Sequence, residues 1–307
     1  MARHARQHHR RRPRRCAAEV HRRGPRGGRE GLTRIDDAFT DVRAARAAGR
    51  APSRGVLAPF VVAGRPSLAA LPDMLVAMER AGAGIVEIGI PFSDPIADGP
   101  VIAGAMHKAL LDGVTPHTAL EAIGAARDRV KMGLVAMVSV SIVQRLGAAA
   151  FCRECAAAGL DGVIFPDAPL EEAPRFTEPA REAGLDAVLL VAPSSPPERA
   201  AEIASMCSGF VYMLARAGLT GEREGAPDAA ALRERVHAAR AASGLPVACG
   251  FGISRPEHVR AILRQADADA AIVGSALVRR IEDGIGRGED GAHAASAFVA
   301  ELAAGLD

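Results

Sequence analysis

The feature that most constrains this chain is a beat of eight short apolar or β-branched runs separated by stretches of helical period. The runs are Val56–Val62, Ile85–Ile90, Met132–Val138, Gly162–Phe165, Ala187–Val191, Phe210–Leu214, Pro246–Cys249 and Ala270–Val273. Helical patterns fall between them at Ala69–Ala81, Thr118–Val130, Gly147–Ala158, Pro197–Cys207, Ala229–Ala242 and Pro256–Ala266, and Ala276–Ile285 and Ala294–Leu306 complete the chain. Pro179 interrupts Leu170–Ala183, which predicts a kink or a short helix there. Strands alternating with helices eight times over about 250 residues predict a (β/α)8 barrel. A doubly wound sheet is the rival, but the first run ends in Ala63-Gly64-Arg65-Pro66, which is no phosphate fingerprint. In a barrel the chemistry gathers at the C-terminal ends of the strands.

Charge divides the chain into two parts. The 307 residues carry 38 Lys+Arg against 36 Asp+Glu. Residues 1–31 alone hold eleven Arg and two Glu, leaving residues 32–307 with 27 basic and 34 acidic residues. The expected organisation is therefore a disordered Arg-rich extension over 1–31, or a start codon placed too far upstream, followed by a mildly acidic barrel over 32–307. Globular patterning begins near Thr33, where Arg34-Ile35-Asp36-Asp37-Ala38-Phe39 opens a short amphipathic helix. An arm of this charge could bind nucleic-acid phosphates, but it has no aromatic residue to stack on a base, so nucleic acid is not the expected partner. It also lacks an apolar segment of the kind that directs export, and no run in the chain reaches membrane-spanning length.

Scarcities prune the chemistry further. Five cysteines without framework spacing favour a reducing, cytoplasmic setting. Cys152 and Cys155 form a single CxxC inside a helical pattern, where two packed thiols are the expectation. The histidines outside the tail are not paired at ligand spacing, and no metal is expected. Lys108 and Lys131 are the only lysines. Neither lies at the end of a predicted strand, which speaks against an aldolase that works through a lysine Schiff base.

Glu87 stands between Val86 and Ile88 on the second run, so its carboxyl points either into the barrel or outward beneath the helices. Both settings are apolar, and burial there raises a carboxyl pKa toward the range of a proton shuttle. The strand leads into Pro91-Phe92-Ser93-Asp94-Pro95-Ile96-Ala97-Asp98-Gly99-Pro100, a loop with two further carboxylates at the catalytic face. Glycine-rich turns follow runs six, seven and eight at Leu219-Thr220-Gly221, Gly250-Phe251-Gly252-Ile253-Ser254 and Gly274-Ser275. Such turns let backbone amides approach a phosphate, and the last one opens a helix whose N–H groups point the same way.

The stretch from Glu87 to Pro95 with Ala97-Asp98-Gly99-Pro100 resembles the signature of the tryptophan synthase alpha chain family. Pro59-Phe60, Gly218-Leu219-Thr220-Gly221, Gly250-Phe251-Gly252-Ile253-Ser254 and Gly274-Ser275 match the family in order and spacing, and the resemblance extends from about Ile35 to the C-terminus. It implies a lyase that cleaves indole-3-glycerol phosphate to indole and glyceraldehyde 3-phosphate. It also implies Glu87 as proton shuttle and Asp98 as partner of the indole N–H. Phe60, Ile164, Tyr212 and Thr220 match substrate contacts, and Gly221, Gly252, Gly274 and Ser275 match the phosphate cradle. The Asp98 loop and the 214–225 segment are expected to close over substrate. No cofactor is implied in this chain; pyridoxal phosphate is expected in a partner beta chain, in an alpha2-beta2 assembly.

Two segments depart from the family pattern. Gly64-Arg65-Pro66 stands where Gly-Asp-Pro is usual, and Met137-Val138-Ser139-Val140-Ser141-Ile142 replaces a segment that usually contains Tyr and Asn. By the resemblance both lie near the ligand and the beta-chain contact. They leave two alternatives to a fully active lyase: a weakly active subunit that mainly activates its beta partner, or another phosphate-binding barrel such as a sugar-phosphate isomerase.

Overall fold

The computed structural model describes residues 33–95, 99–215, 229–250 and 252–306. Eight parallel strands close on themselves in sequence order. They are β1 (Val56–Val62), β2 (Ile85–Gly89), β3 (Gly133–Met137), β4 (Gly162–Phe165), β5 (Asp186–Val191), β6 (Val211–Leu214), β7 (Val247–Gly250) and β8 (Ala270–Val273). The predicted (β/α)8 barrel is the observed fold, and each predicted strand lies within a residue of its place at either end.

Thirteen α-helices occur among the described residues. They run α1 (Arg34–Ala38), α2 (Thr40–Ala47), α3 (Leu71–Arg80), α4 (Pro100–Leu111), α5 (Pro116–Arg127), α6 (Val140–Leu146) and α7 (Ala148–Ala157) in the first half. The second half has α8 (Pro174–Glu182), α9 (Pro197–Met206), α10 (Ala229–Ser243), α11 (Pro256–Arg260), α12 (Ser275–Gly286) and α13 (Gly291–Ala303). Where one helix was expected over Pro256–Ala266, α11 passes into a π-helical turn at Ala261–Gln265. Pro179 lies inside the nine-residue α8, the short helix its sequence suggests. The helix α6 was not anticipated, because Val140, Ile142 and Val143 read as β-branched. A carboxylate from another loop stabilises its start: Asp167 accepts from the Ser139 hydroxyl at 2.6 Å and from the Val140 amide at 2.9 Å.

The N-terminal end of the barrel is stoppered. Thr33 caps α1 in a reciprocal box with Asp36, which drives Ile35 into the barrel floor. A β-carbon at Gly162 would meet the Ile35 Cδ1 at 3.1 Å, and one at Gly133 would meet its Cγ1 at 3.2 Å. Buried carboxylates at the starts of the strands hold the stopper. Asp186 accepts from the Thr33 hydroxyl at 3.0 Å. Asp161 pairs with Arg34 at 3.4 Å and with Arg127 at 3.1 Å. Asp269 is 1% exposed and receives Arg46 at 3.0 Å, Arg240 at 2.9 Å and the Val247 amide at 2.9 Å. Ile35 and these ion pairs occupy this end, and the opposite, C-terminal ends of the strands are where chemistry sits in barrels of this kind.

Cys152 and Cys155 are both buried on α7. Burial pushes the Cys152 thiol up to about 11 and the Cys155 thiol higher still, so both behave as packed apolar groups. No described helix is long and apolar enough to cross a membrane. The expectations for residues 1–31 lie outside the described residues.

Candidate active site

Partners across a parallel ladder share a face of the sheet, so the register identifies what points inward. Phe60 pairs with Glu87, Glu87 with Val135, Met137 with Ile164, and Ile164 with Val188. Leu190 then pairs with Tyr212, Tyr212 with Ala248, and Gly250 with Ile272. Two contacts fix the direction of this set. Ile35 meets its lower members from the stopper, and Phe165, of opposite parity to Ile164, packs on Phe176 of the outer helix α8 with ring centroids 5.7 Å apart. Phe60, Glu87, Ile164 and Tyr212 therefore share the interior, and of the two directions open to Glu87 the structure selects the inward one.

Glu87 is 0% exposed, and among the described residues neither carboxylate oxygen has a hydrogen-bond partner. Its ladder partners on the inner face, Phe60 and Val135, are apolar. Burial alone raises its pKa well above the ordinary carboxylate value. An ionised carboxylate without partners is costly in such a place, so burial favours the neutral acid, a form that can give up a proton.

The well above Glu87 opens at the C-terminal end. Leu190 and Leu214 are inward-facing yet reached by solvent, whereas the rest of the described barrel wall is buried. In the sequence Leu214 and Met137 stand out only as members of longer segments expected near the ligand, and Leu190 does not stand out. Their strands are apolar at nearly every position, and a run such as Val188-Leu189-Leu190-Val191 carries no alternation to show its phase. Two glycines make room in the wall. A β-carbon at Gly89 would come 2.5 Å from the Phe60 ring, and one at Gly250 would come 2.8 Å from the Tyr212 hydroxyl.

Three members of the predicted phosphate cradle gather at the ends of β7 and β8. Gly252 holds a left-handed conformation, φ +74, and Gly274 is the N-cap of α12. Among the described residues no side chain caps that helix, and a helix N-terminus of this kind offers its first amides to an anion. Asp98, Thr220 and Gly221 lie outside the described residues.

The departures from the family pattern have structural partners of their own. Arg65, just after β1, grips Glu282 of α12 through Nε at 2.6 Å and Nη2 at 3.1 Å. Lys108 of α4 reaches the same carboxylate at 2.6 Å, and Asp112 takes the remaining Arg65 nitrogen at 3.3 Å. Burial opposes ionisation of Glu282, but the two cations outweigh it and hold its pKa below the ordinary value. The unusual Arg65 thus ties the first loop to the helix that begins at Ser275.

An eight-stranded parallel barrel with a buried carboxyl on its inner face and a helix opening at Ser275 after β8 belongs to a class of barrels whose enzymes work at the C-terminal ends of the strands. Comparison with known proteins makes this particular. Residues 47–307 match the sequence profile described as the tryptophan synthase alpha chain, and the chain belongs to that family, a lyase family of tryptophan biosynthesis. The alpha chain of Prochlorococcus marinus (strain MIT 9313) is 43% identical over 232 residues, covering 76% of this chain and 83% of the relative. That of Synechococcus elongatus is 37% identical over 276 residues, covering 90% and 98%. Among solved structures, tryptophan synthase from Mycobacterium tuberculosis superposes with a TM-score of 0.76 at 35% identity, covering 90% of this chain and 99% of the other.

Proposed function

We propose that this chain cleaves indole-3-glycerol phosphate to indole and glyceraldehyde 3-phosphate, with Glu87 as the proton carrier. The reading is supported above all by one observation: the carboxyl group of Glu87 is buried inside the barrel, with both oxygens unpartnered among the described residues.

The reaction must break a carbon–carbon bond, and the substrate's own ring can take up the electrons. The neutral Glu87 acid gives its proton to C3 of the indole ring, which becomes an indolenine with a C=N bond. The resulting carboxylate then removes the proton of the glycerol hydroxyl next to the ring. That oxygen forms the aldehyde carbonyl, the bond to C3 breaks, and its electron pair flows back to restore the indole. Glu87 ends as the acid it was at the start, so the proton count closes. A general acid–base group so placed contributes on the order of 100- to 10,000-fold.

The other roles rest on the family resemblance. Asp98 accepts from the ring N–H and offsets the positive charge that grows there. Phe60, Ile164, Tyr212 and Thr220 hold the substrate body, while Gly221, Gly252, Gly274 and Ser275 hold its phosphate. The chain needs no cofactor of its own. It works in the cytoplasm beside a beta chain that holds pyridoxal phosphate, in an alpha2-beta2 assembly.

The test is incubation of the purified chain with indole-3-glycerol phosphate, with and without a beta chain. Indole and glyceraldehyde 3-phosphate should appear in equal amounts in both cases. Release only when the beta chain is present would favour the activating-subunit alternative, and release of neither product would overturn the reading.

A further inference from the structure

The ladder between β5 and β6 is the shortest in the barrel. It has two register pairs, Leu190 with Tyr212 and Val191 with Met213, where the other ladders have three to five. The next pair in that register is Ala192 and Leu214, and a side chain joins them instead. Arg235, on α10, donates from Nη2 to the Ala192 carbonyl at 3.0 Å and from Nη1 to the Leu214 carbonyl at 3.4 Å. Two carbonyls cannot bond to each other; a planar fork of N–H donors can hold both.

The charge on this fork is unusual. Among the described residues no carboxylate pairs with Arg235, although it is half-buried. Its half-buried counterparts Arg46, Arg65 and Arg240, and the buried Arg127, each hold at least one carboxylate. A half-buried cation is thus committed to two strand-end carbonyls. These belong to the segments that carry Leu190, Tyr212 and Leu214, the wall of the well.

We propose that Arg235 is a positioning residue: its guanidinium replaces the missing rung between β5 and β6 and so fixes the wall that Tyr212 presents to the substrate. The role as it bears on catalysis rests on the function proposed above. Arg235 does not touch the reacting atoms. It acts by keeping two strand ends from parting where inward side chains must meet a ring, and misplacement of such a wall by about 1 Å can cost 100-fold in rate.

The composition supplies a direct probe. Tyr212 is the only tyrosine and there is no tryptophan, so the intrinsic emission of the full chain reports on this wall alone. Tyr212 is 7% exposed, and acrylamide should quench it weakly in the wild type. In Arg235→Met, quenching should rise at least about twofold as the wall opens locally, and kcat/KM for indole-3-glycerol phosphate should fall about 10- to 100-fold. Binding of glycerol 3-phosphate, which lacks the ring, should stay unchanged. Arg235→Lys keeps the charge but cannot bridge both carbonyls, so it should resemble Arg235→Met; it also serves as the test if the methionine variant fails to fold. Unchanged quenching in both variants, full recovery by lysine, or weakened glycerol 3-phosphate binding with unchanged quenching would each overturn the proposal. Quenching is read without turnover, so a wild-type chain that released no indole would count against the proposed function and leave this measurement standing.

Discussion

Tyr212 and Gly250 interlock on neighbouring strands: a β-carbon at position 250 would lie 2.8 Å from the tyrosine hydroxyl oxygen and 3.2 Å from its ring carbon Cζ. The two residues set one dimension of the well together. Gly250→Ala should displace the ring and cost about 1–3 kcal/mol through overpacking, with a fall in kcat/KM. Removing the hydroxyl removes the shortest of these contacts and leaves those to Cζ and to the Ile272 β-carbon at 3.2 Å. Gly250→Ala combined with Tyr212→Phe should therefore recover stability relative to Gly250→Ala alone, as read from denaturant midpoints. Additive losses would show that the two residues do not meet.

Burial of Glu87 makes a prediction about stability against pH. Its folded pKa is raised, so above the ordinary carboxylate range the unfolded chain gains by ionising while the folded chain does not. Wild-type stability should therefore decline as pH rises from the unfolded pKa toward the folded one, by at most about 1.4 kcal/mol per pH unit. Glu87→Gln cannot ionise and should lose this slope, gaining on the wild type as pH rises. Parallel stability curves for the two proteins would contradict a raised pKa.

Glu282 should behave in the opposite sense. Its pKa is held low by Arg65 and Lys108 against the effect of burial. Its contribution is present above the unfolded pKa and is lost as pH falls through the folded one. Glu282→Gln should destabilise the chain by about 2 kcal/mol near neutrality, and the difference should shrink in acid. Melting temperatures of both proteins across acid pH would show it.

Asp269 separates stability from function. It lies at the closed end of the barrel and holds Arg46 and Arg240. Asp269→Asn leaves Asp267 as the remaining carboxylate of both guanidinium groups and should cost about 1–3 kcal/mol. The folded fraction should still turn over at the wild-type rate per molecule. A rate loss larger than the loss of folded protein would place Asp269 in the active machinery.

The barrel was legible because its strands recur as separate apolar runs, and Val56–Val62, Gly162–Phe165 and Ala270–Val273 match the observed strands residue for residue. Glu87 was legible as a buried carboxyl because it stands alone between Val86 and Ile88 on an apolar strand. Its direction was not, since inner and outer faces are both apolar here and only the register distinguishes them. The helix α6 was hidden because its capping carboxylate, Asp167, lies far along the chain. Arg235 was hidden for a related reason. Nothing in Leu232-Arg233-Glu234-Arg235 tells which arginine reaches the carbonyls of β5 and β6.

The most direct test of the central claim compares indole release by the wild type and by Glu87→Gln. The amide keeps the shape of the side chain but can neither give nor take the proton. Glycerol 3-phosphate binding should persist in the variant, while kcat should fall by at least about 100-fold. Undiminished release of indole from Glu87→Gln would contradict the account.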